Sequence, residues 1–201
     1  MKAQSVDQMD EAMKTWVDPS NNFLFTDISG DIAYLNRGVI PLRTIDNAWL
    51  PVPGWLKKYE WTGSIPFEHL ARIRNPDTGY IVTANNRIVG EDYPYHISLD
   101  YAPEYRARRI VDRLQELGPA TVEHMASIHG EKLSLPAKTY LGILSTIEPA
   151  DEPSKYALRK LTQWDCVMDE NEIAPTIYSA FRYSLHRRVA EHILQPMISQ
   201  G

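Results

Sequence analysis

Two adjacent asparagines, Asn85 and Asn86, have the side-chain type and the position that acyl-transfer chemistry can use. They close a short apolar run, residues 80–84, which is rich in β-branched and aromatic residues and is predicted to be a strand. A side-chain NH2 at a strand end is an uncharged donor that can stabilise a developing oxyanion at any working pH. The same pair is also typical of a turn, because Asn tolerates left-handed backbone geometry and bonds its own main chain. These two residues alone leave both interpretations open.

The composition excludes several classes of protein. The 201 residues, 43% hydrophobic and 23% charged, suffice for one sizeable core or two small ones. A net charge of −5 and the absence of a dense basic stretch argue against nucleic acid. The single cysteine, Cys166, excludes an internal disulfide and a thiolate metal cage. No stretch reaches the roughly 18 apolar residues of a membrane span, and no signal-peptide pattern begins the sequence.

The first half of the chain supplies the elements that would position the asparagines. Residues 5–16 carry apolar side chains at helical spacing and predict an amphipathic helix. Residues 23–27 and 32–35 are β-prone runs joined by a Ser-Gly turn, which predicts a hairpin. Residues 37–77 are irregular and rich in Pro, Gly and Trp, and we expect this loop to pack down through its aromatic side chains.

The second half of the chain has helical periodicity throughout. Five segments show it: residues 103–117, 121–129, 135–147, 154–164 and 173–193. The sequence therefore predicts an α+β fold in two regions. Residues 1–101 form a helix, a small antiparallel hairpin and a loop platform, and residues 102–201 form a mainly helical region.

Several motifs follow one another in a fixed order along the chain. They are Asp27-Ile-Ser-Gly-Asp-Ile-Ala-Tyr34, Gly38-Val-Ile-Pro-Leu-Arg43, Leu50-Pro-Val-Pro-Gly-Trp55, Tyr59-Glu-Trp-Thr-Gly-Ser-Ile-Pro-Phe67, the run from Asn75 to Tyr95, Ala102-Pro-Glu-Tyr-Arg-Ala-Arg-Arg-Ile110 and Trp164-Asp165. As an ordered set they resemble the β-subunit of the penicillin acylase family of N-terminal nucleophile hydrolases. The resemblance extends from about Phe23 to Ile193 and so covers most of the chain.

The resemblance implies a fold, a reaction and two site residues. The fold would be a piece of the αββα fold of these hydrolases. In the family, a serine freed by self-cleavage attacks an amide while its own α-amine takes the proton, and an acyl-enzyme forms. The oxyanion-hole asparagine of the family falls on Asn85, with Asn86 expected to hold the strand end in place. An arginine that orients the serine falls on Arg106, with Arg109 as the alternative in register.

The sequence departs from the family at the nucleophile. Position 1 is Met, and Ser5 stands at the head of the predicted helix rather than at the start of a strand. Cys166 stands where the family usually has glycine, without a flanking His-Asp pattern, so we expect it to have a packing or loop role. The chain is therefore expected to be an internal piece of the β-subunit, inactive by itself. The α-subunit and the remainder of the β-subunit would be missing, and exposed apolar surface would favour a homodimer.

We expect no cofactor or metal in this stretch. Family members often bind calcium through carboxylates, but Asp92 and Asp100 depart from the family spacing and do not make a six-oxygen site. The six histidines are scattered, and His186 and His192 lie on different faces of one helix, which disfavours zinc.

Two classes of function remain open. The first is a penicillin-amidase-like acylase that hydrolyses the linear amide of a small acyl-amine substrate. Within that class an acyl-homoserine lactone acylase is the alternative, because the acyl pocket lies outside this sequence. The second class is a non-catalytic helical module that binds a partner through Trp49, Trp55 and Trp61. Exposed tryptophans would favour the module, and tryptophans packed beneath Asn85 would favour the enzyme. The compartment stays open, although family members are often periplasmic or secreted.

Overall fold

The computed structural model of the chain describes residues 2–198, and these form an α+β fold, as predicted. Its strands are β1 (Asn21–Thr26), β2 (Ile32–Arg37) and β3 (Arg72–Arg74). Its α-helices are α1 (Val6–Ala12), α2 (Ile45–Trp49), α3 (Tyr105–Glu116), α4 (Val122–His129), α5 (Leu135–Leu144), α6 (Glu152–Thr162) and α7 (Ala174–Ile198). The chain divides into two compact units, Met1–Val111 and Asp112–Gly201. The boundary expected between residues 101 and 102 stays a prediction.

The N-terminal helix and the hairpin of the first unit confirm the sequence pattern. Helix α1 begins after Ser5, whose hydroxyl accepts a 3.2 Å hydrogen bond from the backbone of Gln8, and it continues into a 3₁₀ turn over Met13–Thr15. Strands β1 and β2 are antiparallel, with Asn22 directly opposite Asn36. Gly30 supplies the positive φ of 86° that their connection requires.

A third strand lies in the region that the sequence indicates to be irregular. Strand β3 pairs antiparallel with β2, so β2 is central in the order β1-β2-β3 and its residues 33–37 are buried. The expectation of an irregular stretch over residues 37–77 is wrong here and also at the short helix α2. An Arg-Ile-Arg edge strand of three residues has almost no hydrophobic pattern, because its side chains are exposed.

The predicted strand over residues 80–84 is not present, and that prediction was wrong. The backbone N–H of Ala84 donates to the side-chain oxygen of Asn86 at 3.0 Å instead of to a neighbouring strand. The contact of this segment with β1 is made by side chains, where the Asn22 amide donates to the Thr83 hydroxyl at 3.0 Å. Local side-chain bonding of this kind competes with sheet formation.

The long loop before β3 does not pack through its tryptophans. Trp49, Trp55 and Trp61 are 67%, 83% and 62% exposed, so the expectation that they pack down was wrong. The loop is held by its aliphatic residues and its backbone. Ile40 and Ile65 are buried with Met13 and Leu35 in the core of this unit, and the backbone N–H of Ile65 donates to the carbonyl of Ile40 at 2.8 Å.

The second unit consists of helices, as the periodicity predicts. Thr121, Ser134 and Asp151 cap α4, α5 and α6, each accepting a hydrogen bond from a backbone N–H of the first turn. The core of this unit contains Ala137, Leu161, Trp164, Cys166, Ala174 and Tyr178. None of the helices within residues 2–198 combines the length and the hydropathy that crossing a membrane requires.

Candidate active site

Asn85 lies at a turn in a left-handed backbone conformation. Its φ is 62°, a value that Asn adopts at lower cost than most residues with a side chain. Its carbonyl accepts a 2.8 Å hydrogen bond from the backbone N–H of Ala102, just before helix α3. The turn is therefore fastened to the segment that leads into α3.

Asn86 holds this turn from the other side. Its Oδ1 accepts the Ala84 N–H, and its Nδ2 donates to the carbonyl of Arg87 at 3.0 Å. The turn interpretation of the pair thus applies to Asn86, and the oxyanion role of Asn85 stays a prediction. The Asn86 side chain stabilises the turn by hydrogen-bonding the neighbouring main chain, whereas among residues 2–198 the Asn85 side chain makes no such bond.

Arg106 of helix α3 contacts the Asn85 turn through one guanidinium nitrogen. Its Nη2 donates to the carbonyl of Ala84 at 2.8 Å and to the side chain of Asn85 at 2.9 Å. Because a guanidinium only donates hydrogen bonds, the Asn85 atom that it contacts must be the carbonyl oxygen Oδ1. The structure brings together the two residues that the resemblance selects, and their catalytic roles stay predictions.

This contact determines which atom of Asn85 is available. With Oδ1 accepting from Arg106, the NH2 group of Asn85 has no hydrogen-bond partner among residues 2–198, and the residue is exposed. An oriented and unoccupied NH2 group is the chemical requirement for an oxyanion donor. Its exposure to water in these 201 residues keeps its electrostatic effect small, because water screens the interaction.

A partly buried polar network, which the sequence pattern did not predict, contacts the segment before the turn. The Oδ1 of Asn22 accepts the Tyr34 hydroxyl at 2.8 Å and the Asn36 amide at 3.0 Å. The Asn22 NH2 is thereby directed at Thr83, two residues before Asn85. The available signal was two asparagines, a residue type depleted in strands, one directly before the first β-prone run and one directly after the second.

The Tyr34 hydroxyl remains a donor in this network at ordinary pH. Burial raises its pKa well above the usual 10.0, and the neighbouring Tyr101 and Tyr93 raise it further. A tyrosine that keeps its proton keeps its hydrogen bond to Asn22. The orientation of the Asn22 amide therefore does not depend on pH in the neutral range.

The two alternative nucleophiles have structural roles. Ser5 caps α1, and its hydroxyl already accepts from Gln8. Cys166 is buried against Trp164 and Tyr178, which confirms the predicted packing role. Burial raises the pKa of the Cys166 thiol, which is the opposite of what thiolate catalysis requires. Its φ of 69° lies in the left-handed region, which favours glycine.

Among residues 2–198, no three His, Cys, Asp or Glu side chains are grouped so that they could hold a metal ion. Asp92 and Asp100 lie within this range and belong to no such group.

Comparison with known proteins identifies the family. The sequence model for penicillin amidase matches residues 1–200. The chain belongs to the penicillin amidase family. This confirms the resemblance drawn from the ordered motifs.

Individual members of the penicillin amidase family are similar over much of the chain. Penicillin acylase 2 proenzyme of Pseudomonas sp. strain SE83 is 40% identical over 192 residues, which are 93% of this chain and 24% of that protein. Penicillin G acylase of Escherichia coli is 31% identical over 154 residues, 72% of this chain and 18% of that protein. An acyl-homoserine lactone acylase QuiP of Pseudomonas fluorescens is 31% identical over 110 residues, 54% of this chain and 13% of that protein.

A solved structure of the penicillin amidase family has the same fold. The thermostable penicillin G acylase from Alcaligenes faecalis aligns with a TM-score of 0.61 at 25% identity, over 83% of this chain and 30% of that one. The chain thus spans about a quarter or less of the length of the curated relatives it matches.

Proposed function

We propose that this chain carries the oxyanion-stabilising part of an amide-hydrolysing acylase. The observation that supports this most is the Asn85 side chain, whose oxygen is fixed by Arg106 and whose NH2 group is unoccupied. A preorganised donor of this kind is useful where negative charge develops in the transition state. Membership of the penicillin amidase family gives the reaction class.

The proposed reaction proceeds in two steps. A hydroxyl nucleophile in another part of the enzyme attacks the amide carbonyl, and the carbonyl oxygen becomes negative within reach of the Asn85 NH2 group. Collapse of this intermediate expels the amine and leaves an acyl-enzyme, which water hydrolyses to the free acid. Arg106 does not touch the substrate in this scheme. It keeps Oδ1 of Asn85 turned away, so that the NH2 group faces the oxyanion.

The acyl group that the enzyme accepts is open between two classes. The 40% identity to a penicillin acylase proenzyme, against 31% to an acyl-homoserine lactone acylase, favours an acyl-amine substrate of the penicillin type. Acyl-homoserine lactone acylases are similar over a shorter part of the chain and are the alternative. We place the acyl-binding pocket in other parts of the enzyme, and we propose no cofactor or metal for this segment.

The exposed tryptophans support a docking role alongside the enzymatic one. We propose that Trp49, Trp55 and Trp61 face the larger remainder of the acylase, because this chain covers only 24% of the relative with the highest identity given above. Large exposed aromatic side chains are enriched at protein interfaces. The isolated 201-residue polypeptide should then form homodimers through the same side chains, and light scattering at several concentrations, with Trp55→Ser as comparison, would detect this.

The reaction class is tested on the full gene product with a chromogenic phenylacetyl anilide and with a long-chain acyl-homoserine lactone. We expect hydrolysis of the first, with a burst of released amine where deacylation is slower than acylation. Hydrolysis of the lactone substrate alone would select the alternative, and hydrolysis of neither would contradict the proposal. The 201-residue polypeptide by itself should be inactive, because the proposed hydroxyl nucleophile lies in another part of the enzyme.

A further inference from the structure

A cleft of about 330 Å³ is lined mainly by the long loop before β3 and by none of residues 84–86. Arg43, Lys58, Glu60, Thr62 and His96 contribute to its walls. Two of the walls are joined by backbone hydrogen bonds, in which the N–H of Leu42 donates to Gly63 at 2.8 Å and the N–H of Thr62 donates to Leu42 at 3.1 Å. These backbone hydrogen bonds hold the two walls together, so the shape of the cleft does not depend on its side chains alone.

Arg43 is a cation without a partner in this cleft. Its Nε is buried and has no hydrogen-bond acceptor, and among residues 2–198 no carboxylate lies within ion-pairing distance of it. Burying a guanidinium donor without an acceptor costs free energy. Arg37, a buried arginine of the same unit, shows the usual arrangement, since it donates to the carbonyls of Met13, Lys14 and Gly38.

The other charged groups of the cleft leave it with one net positive charge. Lys58 is over the ring of Tyr59, 4.5 Å from its centroid, and Glu60 is the acidic residue of the wall. Burial and the neighbouring Arg43 charge lower the pKa of His96 below its usual 6.5, so its ring is neutral at pH 7. Arg43 and Lys58 against Glu60 give a balance of +1, which suits an anion with a single charge.

We propose that this cleft binds a carboxylate, with the guanidinium of Arg43 as its principal partner. A guanidinium presents parallel donors that match the two oxygens of a carboxylate. Lys58 supplies a second positive charge, and the hydroxyl of Thr62 and the ring of His96 supply neutral donors. The carboxylate belongs either to a free small acid or to an Asp or Glu side chain of another polypeptide segment, and this site does not depend on the role proposed for Asn85.

The proposal is tested by NMR titration of the ¹⁵N-labelled chain at constant ionic strength. Sodium acetate represents the free acid, a doubly capped glutamate represents the polypeptide side chain, and sodium chloride is the reference. We expect the Arg43 Nε–H resonance to shift saturably with a carboxylate and not with chloride, and the pKa of His96 to rise when the site is filled. Tighter binding of the capped glutamate would identify a polypeptide occupant, and tighter binding of acetate a free acid.

Matched lysine variants separate the cleft from general surface charge. Lys58→Gln should weaken acetate binding, whereas Lys57→Gln, one residue away and outside the cleft wall, should leave it unchanged. Arg43→Lys keeps the positive charge but loses the parallel N–H donors of the guanidinium, so it should weaken acetate binding by about tenfold. Equal effects of the two glutamine variants, or an acetate response that is linear and survives Arg43→Lys, would overturn the proposal.

Discussion

The Nη2 atom of Arg106 bonds both the Asn85 side chain, at 2.9 Å, and the carbonyl of the preceding Ala84, at 2.8 Å. One helix residue thus fixes the backbone and the side chain of the same turn. This double contact distinguishes a positioned amide from an ordinary exposed asparagine. It also makes the orientation of Asn85 dependent on a residue 21 positions further along the chain.

Replacing Arg106 by lysine should lower kcat of the full gene product with little change in KM. A lysine carries one compact charge and lacks the fixed geometry of the guanidinium, so the Asn85 amide is held less well. A loss of about tenfold to a hundredfold is expected for a misplaced catalytic group. Arg108→Lys, an exposed arginine of the same helix, is the matched control. An effect on KM alone would contradict the positioning role.

The Asn22 network should affect stability and the site separately. Asn22→Ala leaves the donors of Tyr34 and Asn36 without their acceptor, and it should lower the free energy of unfolding by about 1–3 kcal/mol in urea denaturation. Thr83→Val removes only the link to the Asn85 segment and should cost less stability. The Asn85 side-chain amide resonance should nevertheless move in Thr83→Val, and an unchanged resonance would show that the network serves stability alone.

Cys166 allows a test of left-handed backbone strain in the second unit. At a φ of 69° an alanine keeps the strain and loses the thiol, whereas a glycine relieves strain worth about 1–2 kcal/mol. Cys166→Gly should therefore unfold at the same or a higher urea concentration than Cys166→Ala. At a buried position with an ordinary backbone conformation, the glycine variant would be less stable than the alanine variant by roughly 0.5–1 kcal/mol. That order of stability would contradict backbone strain at Cys166.

Asp27 should make the first unit sensitive to acid. Its carboxylate accepts from the backbone N–H groups of Val6, Ser29 and Asp31, and these bonds lower its pKa below the ordinary 3.8. Because the folded pKa is the lower one, the stabilisation is present above about pH 4 and is lost as the pH falls further. Asp27→Asn should thus lower the melting temperature at neutral pH and approach the unaltered protein in acid.

The control for this titration is Asp77→Asn, at an exposed aspartate. It should leave the melting temperature unchanged at both pH values. The melting temperatures of Asp27→Asn and the unaltered protein should differ less in acid than at neutral pH. An equal difference at both pH values would show that the carboxylate charge of Asp27 does not contribute to stability.

Much of the fold could be predicted because its signals are local. The hairpin follows from two β-prone runs and a Ser-Gly turn, and the five helices of the second half follow from periodicity and from capping residues such as Thr121 and Ser134. Strand β3 could not be predicted, because its pairing with β2 is non-local and its residues are charged. The segment before Asn85 looked like a strand because its apolar pattern carries no information about the Asn86 side chain that takes its N–H.

The sequence predicted which residues belong to the candidate site, but it did not predict how they are arranged. The ordered motifs selected Asn85 and Arg106, but spacing alone does not say which atom of an amide is free. That follows from the guanidinium, which can only donate and so must face Oδ1. Asn22 was missed because its role depends on Tyr34, Asn36 and Thr83, which come together only in the folded chain.

Stabilisation of the oxyanion by the Asn85 NH2 group is best tested by measuring kcat of Asn85→Ala in the full gene product. The control is Asn21→Ala, which removes an exposed amide elsewhere in the same unit. We predict that Asn85→Ala lowers kcat by about 100- to 1000-fold, the cost of one lost oxyanion donor, and that Asn21→Ala has no effect. Turnover by Asn85→Ala at the rate of the unaltered enzyme would contradict the account.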